Sequence, residues 1–256
     1  MRVTILGCGP SGGVPLIGND WGDCDPANPR NRRRRASILI QQGAAQILVD
    51  ASPDMRMQLL DAGIARLDAI LLTHAHADHC HGIDEVRALN RAMGRAIPLY
   101  ASAGTLTELK QRFAYIFRPS DPAAGAVFYK PSLIPSVIGG PFEVSGVGVV
   151  PFTQNHGFTT SLGLRLGAFA YSTDVVALDQ AAFAALEGIE TWIVDCYRRT
   201  PHPTHTHLAQ TLEWIAQLKP KRAILTHMDV QLDYETLRRE LPAGVEPGYD
   251  GMVIEA

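Results

Sequence analysis

Two kinds of apolar pattern alternate along the chain. Ala69 to Thr73 is a continuous apolar run, which is typical of a strand buried on both faces of a sheet. Met55 to Ala62 instead carries apolar residues at helical spacing, and Gly63 ends this pattern. Because no linker or charge run interrupts the alternation, we expect a single domain over residues 1–256.

The remaining segments extend this pattern into a layered architecture. Strands are predicted at Arg2–Leu6, Ser37–Ile40, Gln46–Asp50, Ala69–Thr73, Ile97–Ala101, Val147–Phe152, Ser161–Leu166, Phe169–Ser172, Thr191–Asp195, Arg222–Thr226 and Met252–Ile254. Helices are predicted at Met55–Ala62, Ile83–Met93, Thr105–Phe113, Asp179–Leu186, Leu208–Leu218 and Tyr234–Leu241. Two similar halves, each opening with several strands, predict an α/β fold: an αββα sandwich of two mixed sheets with helices outside. Residues 118–146 are rich in proline and glycine, which predicts loops and short strands, with a lid over the functional site as one interpretation.

Composition excludes several classes of protein. Of the 256 residues, 46% are hydrophobic and 19% are charged, which is typical of a globular protein and argues against disorder. The net charge of −3 predicts no general affinity for nucleic acid or acidic membranes. No apolar run approaches the ~20 residues of a membrane span, and the N-terminus lacks a secretory signal, so a cytoplasmic location is expected. The four widely spaced cysteines form no CxxC pair and are interpreted as free thiols.

Histidine is the most informative residue type. Seven of the nine histidines fall into two short segments, residues 74–81 and 202–207. The first segment directly follows a predicted strand and contains the pattern HxHxDH, formed by His74, His76, Asp78 and His79. Because residues two apart in an extended turn point the same way, the first two histidines can bind one ion, and the aspartate and third histidine can reach a second. A polar loop that is rich in histidine by chance is the alternative, but the length and position of the pattern favour a metal site.

This pattern resembles the metallo-β-lactamase superfamily, in which a distant histidine, a distant aspartate and a last histidine complete the set. His156, Asp174 and His227 match those positions, each at the end of a predicted strand. The resemblance implies two divalent ions, manganese or zinc, with these ligands: His74, His76 and His156 for the first, Asp78, His79 and His227 for the second, and Asp174 between them. It also implies that a metal-activated hydroxide attacks the substrate.

The superfamily pattern includes an aspartate that ends an early strand, and Asp50 matches it. By the resemblance, Asp50 does not bind metal itself but orients a ligand histidine. The alternative is that Asp50 caps the helix predicted at Met55–Ala62.

Further motifs resemble the PhnP-like phosphodiesterases, which hydrolyse phosphoribosyl 1,2-cyclic phosphate and are related to the tRNA-processing enzyme tRNase Z. These motifs lie at Leu6–Pro15, Pro29–Arg33, Asp50–Asp54, His202–His205 and Tyr249–Met252. The resemblance covers essentially the whole chain and implies a small cyclic or nucleotide-like phosphodiester as the substrate. Because HxHxDH alone does not choose a substrate, this expectation depends on the additional motifs.

In the PhnP-like family, a histidine before the penultimate helix donates a proton to the leaving alkoxide. His205 matches best, because it stands three residues before Leu208, where that helix is predicted to begin; His207 is the alternative. Imidazole suits the task, since the leaving oxygen of a phosphodiester needs a proton as its bond breaks. The predicted catalytic residues are therefore His205, Asp78 and Asp174, whereas His81 and His202 are interpreted as structural or outer residues.

The chain departs from the family pattern in one place. Many PhnP-like proteins hold a structural zinc through several cysteines after the N-terminal glycine loop and a histidine three residues beyond the last metal histidine. Here only Cys24 remains in that loop, and Val230 stands at the position of the histidine. We therefore expect no structural zinc. Two other kinds of contact, the packing of Trp21 and ion pairs between arginine and aspartate, are predicted to hold the loop.

Two features leave alternatives open. The arginines at positions 30 and 32–35 would suit nucleic-acid phosphates, but a solvated loop with one or two buried ion pairs is favoured. The chain also lacks the inserted arm by which tRNase Z grips tRNA, so nucleic acid is not an expected partner. The glycines within residues 7–13 suit a phosphate-binding loop and a tight turn equally well.

Other functions could use the same metal pair. A thioesterase or lactonase would not require His205, and RNA processing of the tRNase Z type would let long RNA compete with a small phosphodiester. A PqqB-like accessory protein would need no turnover, although the complete ligand set argues against it. A homodimer is implied by the family resemblance alone.

Overall fold

The computed structural model describes residues 1–118 and 130–256. Its strands, in chain order, are β1 (Arg2–Gly7), β2 (Ser37–Gln42), β3 (Ala45–Val49), β4 (Ala69–Leu71), β5 (Ile97–Ala101), β6 (Leu133–Val137), β7 (Phe142–Val144), β8 (Val147–His156), β9 (Thr159–Leu166), β10 (Phe169–Ser172), β11 (Thr191–Asp195), β12 (Arg222–Thr226), β13 (Val245–Pro247) and β14 (Val253–Glu255). Its helices are α1 (Met55–Asp61), α2 (Ala77–Cys80), α3 (Val86–Met93), α4 (Ala103–Arg112), α5 (Gln180–Leu186), α6 (Leu208–Leu218) and α7 (Tyr234–Glu240), with short 3-10 turns at Pro29–Asn31 and Ile83–Glu85.

The described strands form two seven-stranded sheets. One has the order β14-β1-β2-β3-β4-β5-β6, and the other has the order β13-β12-β11-β10-β9-β8-β7. Each sheet mixes antiparallel pairs with parallel ones, such as β3 with β4 and β10 with β11. The predicted α/β sandwich of two mixed sheets with helices is therefore confirmed.

Alternation along β2 decides which core each of its side chains joins. Ile38 and Ile40 are fully buried in the cluster that contains residues of both sheets. Leu39, which lies between them, joins a second cluster with residues of α1, α3 and α4. Successive side chains of a strand point to opposite faces. Because both faces are covered here, the three positions that follow Ser37 are all apolar and buried. Each such aliphatic side chain contributes about 1.5–3 kcal/mol through burial.

Several local features differ from the sequence-based expectation. Helix α2 and strand β13 were not predicted, because elements of four and three residues carry no readable periodicity. Helix α4 begins two residues earlier than predicted, since Ser102 caps it by accepting a hydrogen bond from the Thr105 amide at 3.2 Å. The predicted lid falls partly on residues 119–129, which lie outside the described residues.

The four cysteines all lie in the described part of the chain and are buried free thiols. Among the described helices, none combines the length and apolarity needed to cross a membrane.

Candidate metal centre

Three parallel strands of the second sheet end at one edge and place their last residues together. β10, β11 and β12 are neighbours, and Asp195 at the end of β11 pairs with Thr226 at the end of β12. Asp174 follows β10 by two residues, and His227 follows β12 directly. Because the carboxyl ends of parallel strands meet at the same edge, these three side chains lie in one place.

Asp50, Asp174 and His227 share a backbone conformation that is rare outside glycine. Their φ angles are 62°, 54° and 59°, in the left-handed region. Holding a residue there costs of order 1–3 kcal/mol, and such residues persist only where the surroundings enforce them, often at functional sites. Their recurrence after strands of both sheets, β3, β10 and β12, marks the place where these strand ends meet as the candidate site.

The predicted ligands form two groups that share one carboxylate. Within each group the candidate ligand atoms all lie within 4.8 Å of one another: His74, His76, His156 and Asp174 in the first, and Asp78, His79, His227 and Asp174 in the second. All of these residues except His76 and Asp78 are buried. The structure therefore brings together every residue that the sequence assigned to the two ions, with Asp174 in both groups.

Asp174 presents one carboxylate oxygen to each group. Its Oδ2 lies 3.7 Å from His74 Nε2 and 3.5 Å from His156 Nε2. Its Oδ1 lies 3.1 Å from His79 Nε2 and 3.3 Å from His227 Nε2. Two ligand atoms about 2.1 Å from an ion at the tetrahedral angle are about 3.4 Å apart, which these separations match.

Hydrogen bonds from outside the two groups fix the ring orientations. His79 Nδ1 donates to Asp50 Oδ2 at 2.7 Å, which turns Nε2 toward Asp174. His156 Nδ1 donates to the Thr204 carbonyl at 2.8 Å and leaves its Nε2 facing the first group. A histidine that donates through one nitrogen has its other nitrogen free to bind a metal ion.

Asp50 is itself held firmly. Its Oδ1 accepts a hydrogen bond from the Thr73 amide at 2.8 Å, and the carboxylate is fully buried. The helix-capping alternative for Asp50 is wrong, because the residue at the N-cap of α1 is Asp54.

Several buried nitrogens of the site lack a hydrogen-bond partner among the described residues. They are the Nε2 atoms of His74, His79 and His227. A buried polar atom without a partner costs about 1–3 kcal/mol, and a coordinate bond to a metal ion would satisfy all three. The donor set, imidazoles with carboxylates, is one that divalent metals accept. The residues present therefore fit divalent metal ions.

Burial and charge act on the pKa values of the site in opposite directions. Burial, assisted by His79, lowers the pKa of His74 well below its usual value. Burial would also lower the pKa of His227, but the carboxylates of Asp174 and Asp78 outweigh it and raise that pKa to about 9. Burial would raise the pKa of Asp174, but His227 and His79 hold it well below its usual value. The Asp174 carboxylate is thus kept ionised beside the histidines of both groups.

His205 reaches the same site from the loop before α6. Its ring stacks on Tyr197 and on His227, each with ring centroids 4.7 Å apart, and it is 9% exposed. Its Nε2 lies 3.9 Å from Asp174 Oδ2. The other candidate, His207, is the N-cap residue of α6 and does not line the cavity over the metal groups. The geometry therefore places His205, and not His207, beside the predicted metals.

Asp195 is a site residue that the sequence interpretation missed. It is fully buried, and its Oδ2 lies 3.1 Å from His205 Nδ1 and accepts the Val175 amide at 2.9 Å. Its Oδ1 lies 4.0 Å from His227 Nδ1. A signal existed in the sequence, since Asp195 ends a predicted strand just as the other site residues do.

A cavity of about 190 Å³ opens above these groups. Besides metal-site residues, it is lined by Ser11, Phe158, Thr159 and Thr204. His202 lies next to this wall, with its ring 5.2 Å from that of His205, and its Nδ1 accepts a hydrogen bond from the Thr204 amide at 3.3 Å. His81 packs instead against Phe113, with ring centroids 5.3 Å apart.

The glycine-rich N-terminal turn is explained by close packing. A Cβ atom on Gly7 would lie 2.1 Å from the Arg35 carbonyl oxygen, and the Gly9 amide donates to the Arg34 carbonyl at 2.7 Å. These contacts favour the tight-turn interpretation over a phosphate-binding loop. Ser11 lies in this turn and lines the cavity.

Each arginine of the basic run contacts other parts of the protein. The contacts are Arg30 over Tyr234 and Tyr249, Arg32 over Trp21, Arg33 with backbone carbonyls, Arg34 with Asp61 and Arg35 with Asp54. The favoured prediction was a solvated loop with buried ion pairs. The structure differs in that the buried arginine pairs with carbonyl oxygens, and the two ion pairs are partly exposed.

Arg33 also fills the space beside Cys24. Its Nη1 lies 3.8 Å from the Cys24 sulfur and donates to the Asp229 carbonyl at 3.1 Å, while Nη2 donates to the Leu232 carbonyl at 2.6 Å. Trp21 packs as predicted, but the Arg–Asp pairs expected to hold this loop lie elsewhere. No cluster of potential metal ligands found in residues 1–118 and 130–256 includes Cys24. The absence of a structural zinc stays a prediction.

Comparison with known proteins places these features in a family. A family model described as the beta-lactamase superfamily domain matches residues 45–228. The structure of a new diphosphatase from the PhnP family is 36% identical, with a TM-score of 0.91 over 100% of this chain and 97% of that chain. Zn²⁺-bound PqqB from Methylobacterium extorquens is 20% identical, with a TM-score of 0.74 over 100% of both chains, which is a likeness of fold alone.

One relative is named for an acyl transfer activity rather than for hydrolysis. The octanoyltransferase of Porphyromonas gingivalis is 33% identical over 259 residues, which cover 98% of this chain and 51% of that protein. This chain therefore spans about half the length of that relative.

Proposed function

We propose that this chain, which belongs to the beta-lactamase superfamily and within it to the PhnP family, is a metal-dependent phosphoric diester hydrolase that acts on a small cyclic or nucleotide-like phosphodiester. The position of Asp174 carries the proposal. One of its oxygens faces each histidine group, and His205 Nε2 lies 3.9 Å from the same carboxylate. A phosphodiester needs both cationic stabilisation of its phosphoryl group and a proton for its leaving oxygen. Metal ions held by the two groups would supply the first, and His205 would supply the second.

The proposed metal ligands follow the two groups. The first ion would be held by His74, His76 and His156, the second by Asp78, His79 and His227, and both by Asp174. When bound, the ions would polarise the phosphoryl group and lower the pKa of a water molecule. Manganese and zinc both suit this donor set. Asp50 and the Thr204 carbonyl keep His79 and His156 in the tautomers that metal binding requires.

His205 would donate the proton to the leaving oxygen. Its Nδ1 is engaged with Asp195, so Nε2 faces the cavity and the predicted metals. The buried carboxylate of Asp195 fixes the orientation of the His205 ring. Hydrolysis of a thioester or lactone would use the metal groups but not this proton donor, so the His205–Asp195 pair favours phosphodiester chemistry.

Metal reconstitution tests the proposal directly. Purified protein is stripped of metal, reloaded separately with manganese and zinc, and assayed against bis(p-nitrophenyl) phosphate, a β-lactam and an octanoyl thioester. Metal-dependent cleavage of the diester alone is the expected result. The assay with the octanoyl thioester tests whether this chain shares an activity on octanoyl groups with the P. gingivalis octanoyltransferase. Two bound ions per chain without diester cleavage would overturn the proposal.

A diphosphate bond is the second candidate within the same chemistry. The relative that is 36% identical over the whole chain is named a diphosphatase. In a dinucleotide joined through a diphosphate, each phosphorus carries one ester and one anhydride bond. Cleavage of the anhydride releases a phosphate group, which needs a proton less than an alkoxide does. Faster cleavage of such a dinucleotide than of a ribose cyclic phosphate would select this candidate.

A further inference from the structure

Phe158 places a fully exposed phenyl ring at the wall of the metal cavity. The side chain is 95% exposed and stands two residues after His156, between β8 and β9. It lines the same cavity as His156, Asp174 and His205. Burial of apolar surface stabilises by about 25 cal/mol per Å², so a ligand in the cavity that covered this ring would gain that stabilisation.

The turn that carries Phe158 is held on both sides. The Gly157 amide donates to Asn155 Oδ1 at 2.8 Å, and the Asn155 amide donates to the Ala177 carbonyl at 3.2 Å. Gly157 has a φ of +72°, and a Cβ atom there would lie 2.6 Å from Thr204 Cγ2. The ring is therefore presented by a turn that packs closely against the opposite loop.

The Phe158 ring and the two metal groups suit two different parts of one ligand. The cavity floor, formed by histidines and carboxylates, suits a phosphoryl group once divalent ions are present. Two residues of chain span at most about 7 Å, so the backbone of Phe158 lies close to that of His156, and both residues line one cavity. A flat apolar surface beside a phosphate site fits a ligand whose phosphate is joined through a sugar to an aromatic base.

We propose that Phe158 is a stacking platform for a nucleobase on the substrate, so that the substrate class is nucleotide-like rather than a small cyclic sugar phosphate. The inference deepens the proposed function and rests on it. Phe158 acts as a specificity-determining residue, because stacking is gained in the ground state and the reacting groups are unchanged.

Two diesters with the same leaving group test the role of the ring. Thymidine 5′-(p-nitrophenyl phosphate) carries a base, and methyl p-nitrophenyl phosphate does not, while both release p-nitrophenolate. Phe158→Ala should lower kcat/KM for the thymidine ester about ten-fold, chiefly through KM, and change the methyl ester less than about two-fold. Phe158→Trp should keep the thymidine activity. Ile17→Ala is the matched control, since Ile17 is also fully exposed but does not line the cavity.

Binding separates this inference from the proposed function. Calorimetry of the metal-loaded protein compares thymidine 5′-monophosphate with methyl phosphate, for the wild type and for Phe158→Ala. If neither ester is cleaved but the base-dependent affinity disappears in Phe158→Ala, the proposed function fails and the stacking platform stands. Equal losses for both esters, or no loss in either measurement, would overturn the platform.

Discussion

His205 and Asp195 form a hydrogen-bonded pair in which the histidine Nδ1 lies 3.1 Å from the carboxylate Oδ2. The same oxygen accepts the Val175 amide at 2.9 Å, so the backbone fixes the carboxylate independently of any substrate. With Nδ1 engaged, the free ring nitrogen is the one that lies 3.9 Å from Asp174. The pair has the arrangement expected of a positioned general acid, which leads to two predictions.

Replacing His205 should matter most when the leaving group is a poor one. We expect His205→Ala to lower kcat about 10²–10⁴-fold for an alkyl leaving group. The loss should be much smaller for p-nitrophenolate, which departs without a proton. Steady-state rates with the two kinds of diester measure the difference. His207→Ala is the matched control, because His207 lies two residues away and outside the cavity; equal effects of the two variants would contradict the assignment.

Asp195→Asn should lower the rate chiefly for poor leaving groups. The variant keeps the size of the side chain but weakens the hydrogen bond that orients the His205 ring. The loss of rate should be smaller than in His205→Ala, because the proton donor is still present. Equal losses for an alkyl and a p-nitrophenyl leaving group would show that Asp195 only supports the fold.

Most residues of this site could be predicted from local sequence patterns. A residue whose role depends on contacts that are distant in sequence could not. The HxHxDH pattern and the strand-end positions of His156, Asp174 and His227 sufficed to name the residues of both groups. Asp195 was not predicted to be a site residue, because a single aspartate at the end of a buried strand has no partner nearby in the sequence. Its partner His205 is ten residues away and is brought back by the loop before α6.

The fold also has elements that the sequence predicted correctly and features that it did not predict. Strands β5, β10 and β11 and helix α6 have the predicted bounds, because each is an apolar segment bounded by turn residues. Helix α2 was missed, since its four residues are dominated by the metal ligands it carries. The burial of Arg33 was also unpredictable, because its partners, the Asp229 and Leu232 carbonyls, lie almost 200 residues away.

Asp50 should control metal affinity without binding metal. Its carboxylate accepts hydrogen bonds from His79 Nδ1 and from the Thr73 amide. Asp50→Asn should weaken metal binding about 10–100-fold, because an amide nitrogen facing His79 cannot accept its proton. Competition with a fluorescent chelator measures the affinity. Asp54→Asn, which alters a neighbouring carboxylate at the N-cap of α1, should leave it unchanged; equal weakening in both variants would contradict the prediction.

Arg33 should stabilise the fold more than any neighbouring arginine. It is 2% exposed and donates to the carbonyls of Asp229 and Leu232. Arg33→Ala leaves these buried oxygens without donors and should lower the free energy of unfolding by about 3 kcal/mol or more. Arg32→Ala, which removes an exposed guanidinium 5.1 Å from the Trp21 ring, should cost less than about 1 kcal/mol. Urea denaturation of both variants is the measurement, and similar losses would show that the buried hydrogen bonds contribute little.

Asp250 should make stability fall as the pH rises through the weakly acidic range. Its carboxylate accepts hydrogen bonds from the amides of Cys8 and Arg34, at 3.1 Å and 2.8 Å. Burial nevertheless raises its pKa from 3.8 to about 6. Between these two values the folded protein binds a proton that the unfolded chain does not bind. The stabilisation is therefore complete below about pH 4 and is lost as the pH rises through about 6.

Comparison with Asp250→Asn isolates this contribution from all other titrating groups. The variant cannot titrate at this position, so the free energy of unfolding of the wild type relative to Asp250→Asn should fall by about 1–3 kcal/mol between pH 4 and pH 7. Urea denaturation of both proteins at a series of pH values, with equal metal content, measures the difference and cancels the contribution of the metal ligands. A difference that is constant with pH would mean that water reaches the carboxylate and its pKa is not raised by burial. A difference that increases with pH would mean that the two amide hydrogen bonds outweigh burial, since they favour the ionised form of Asp250.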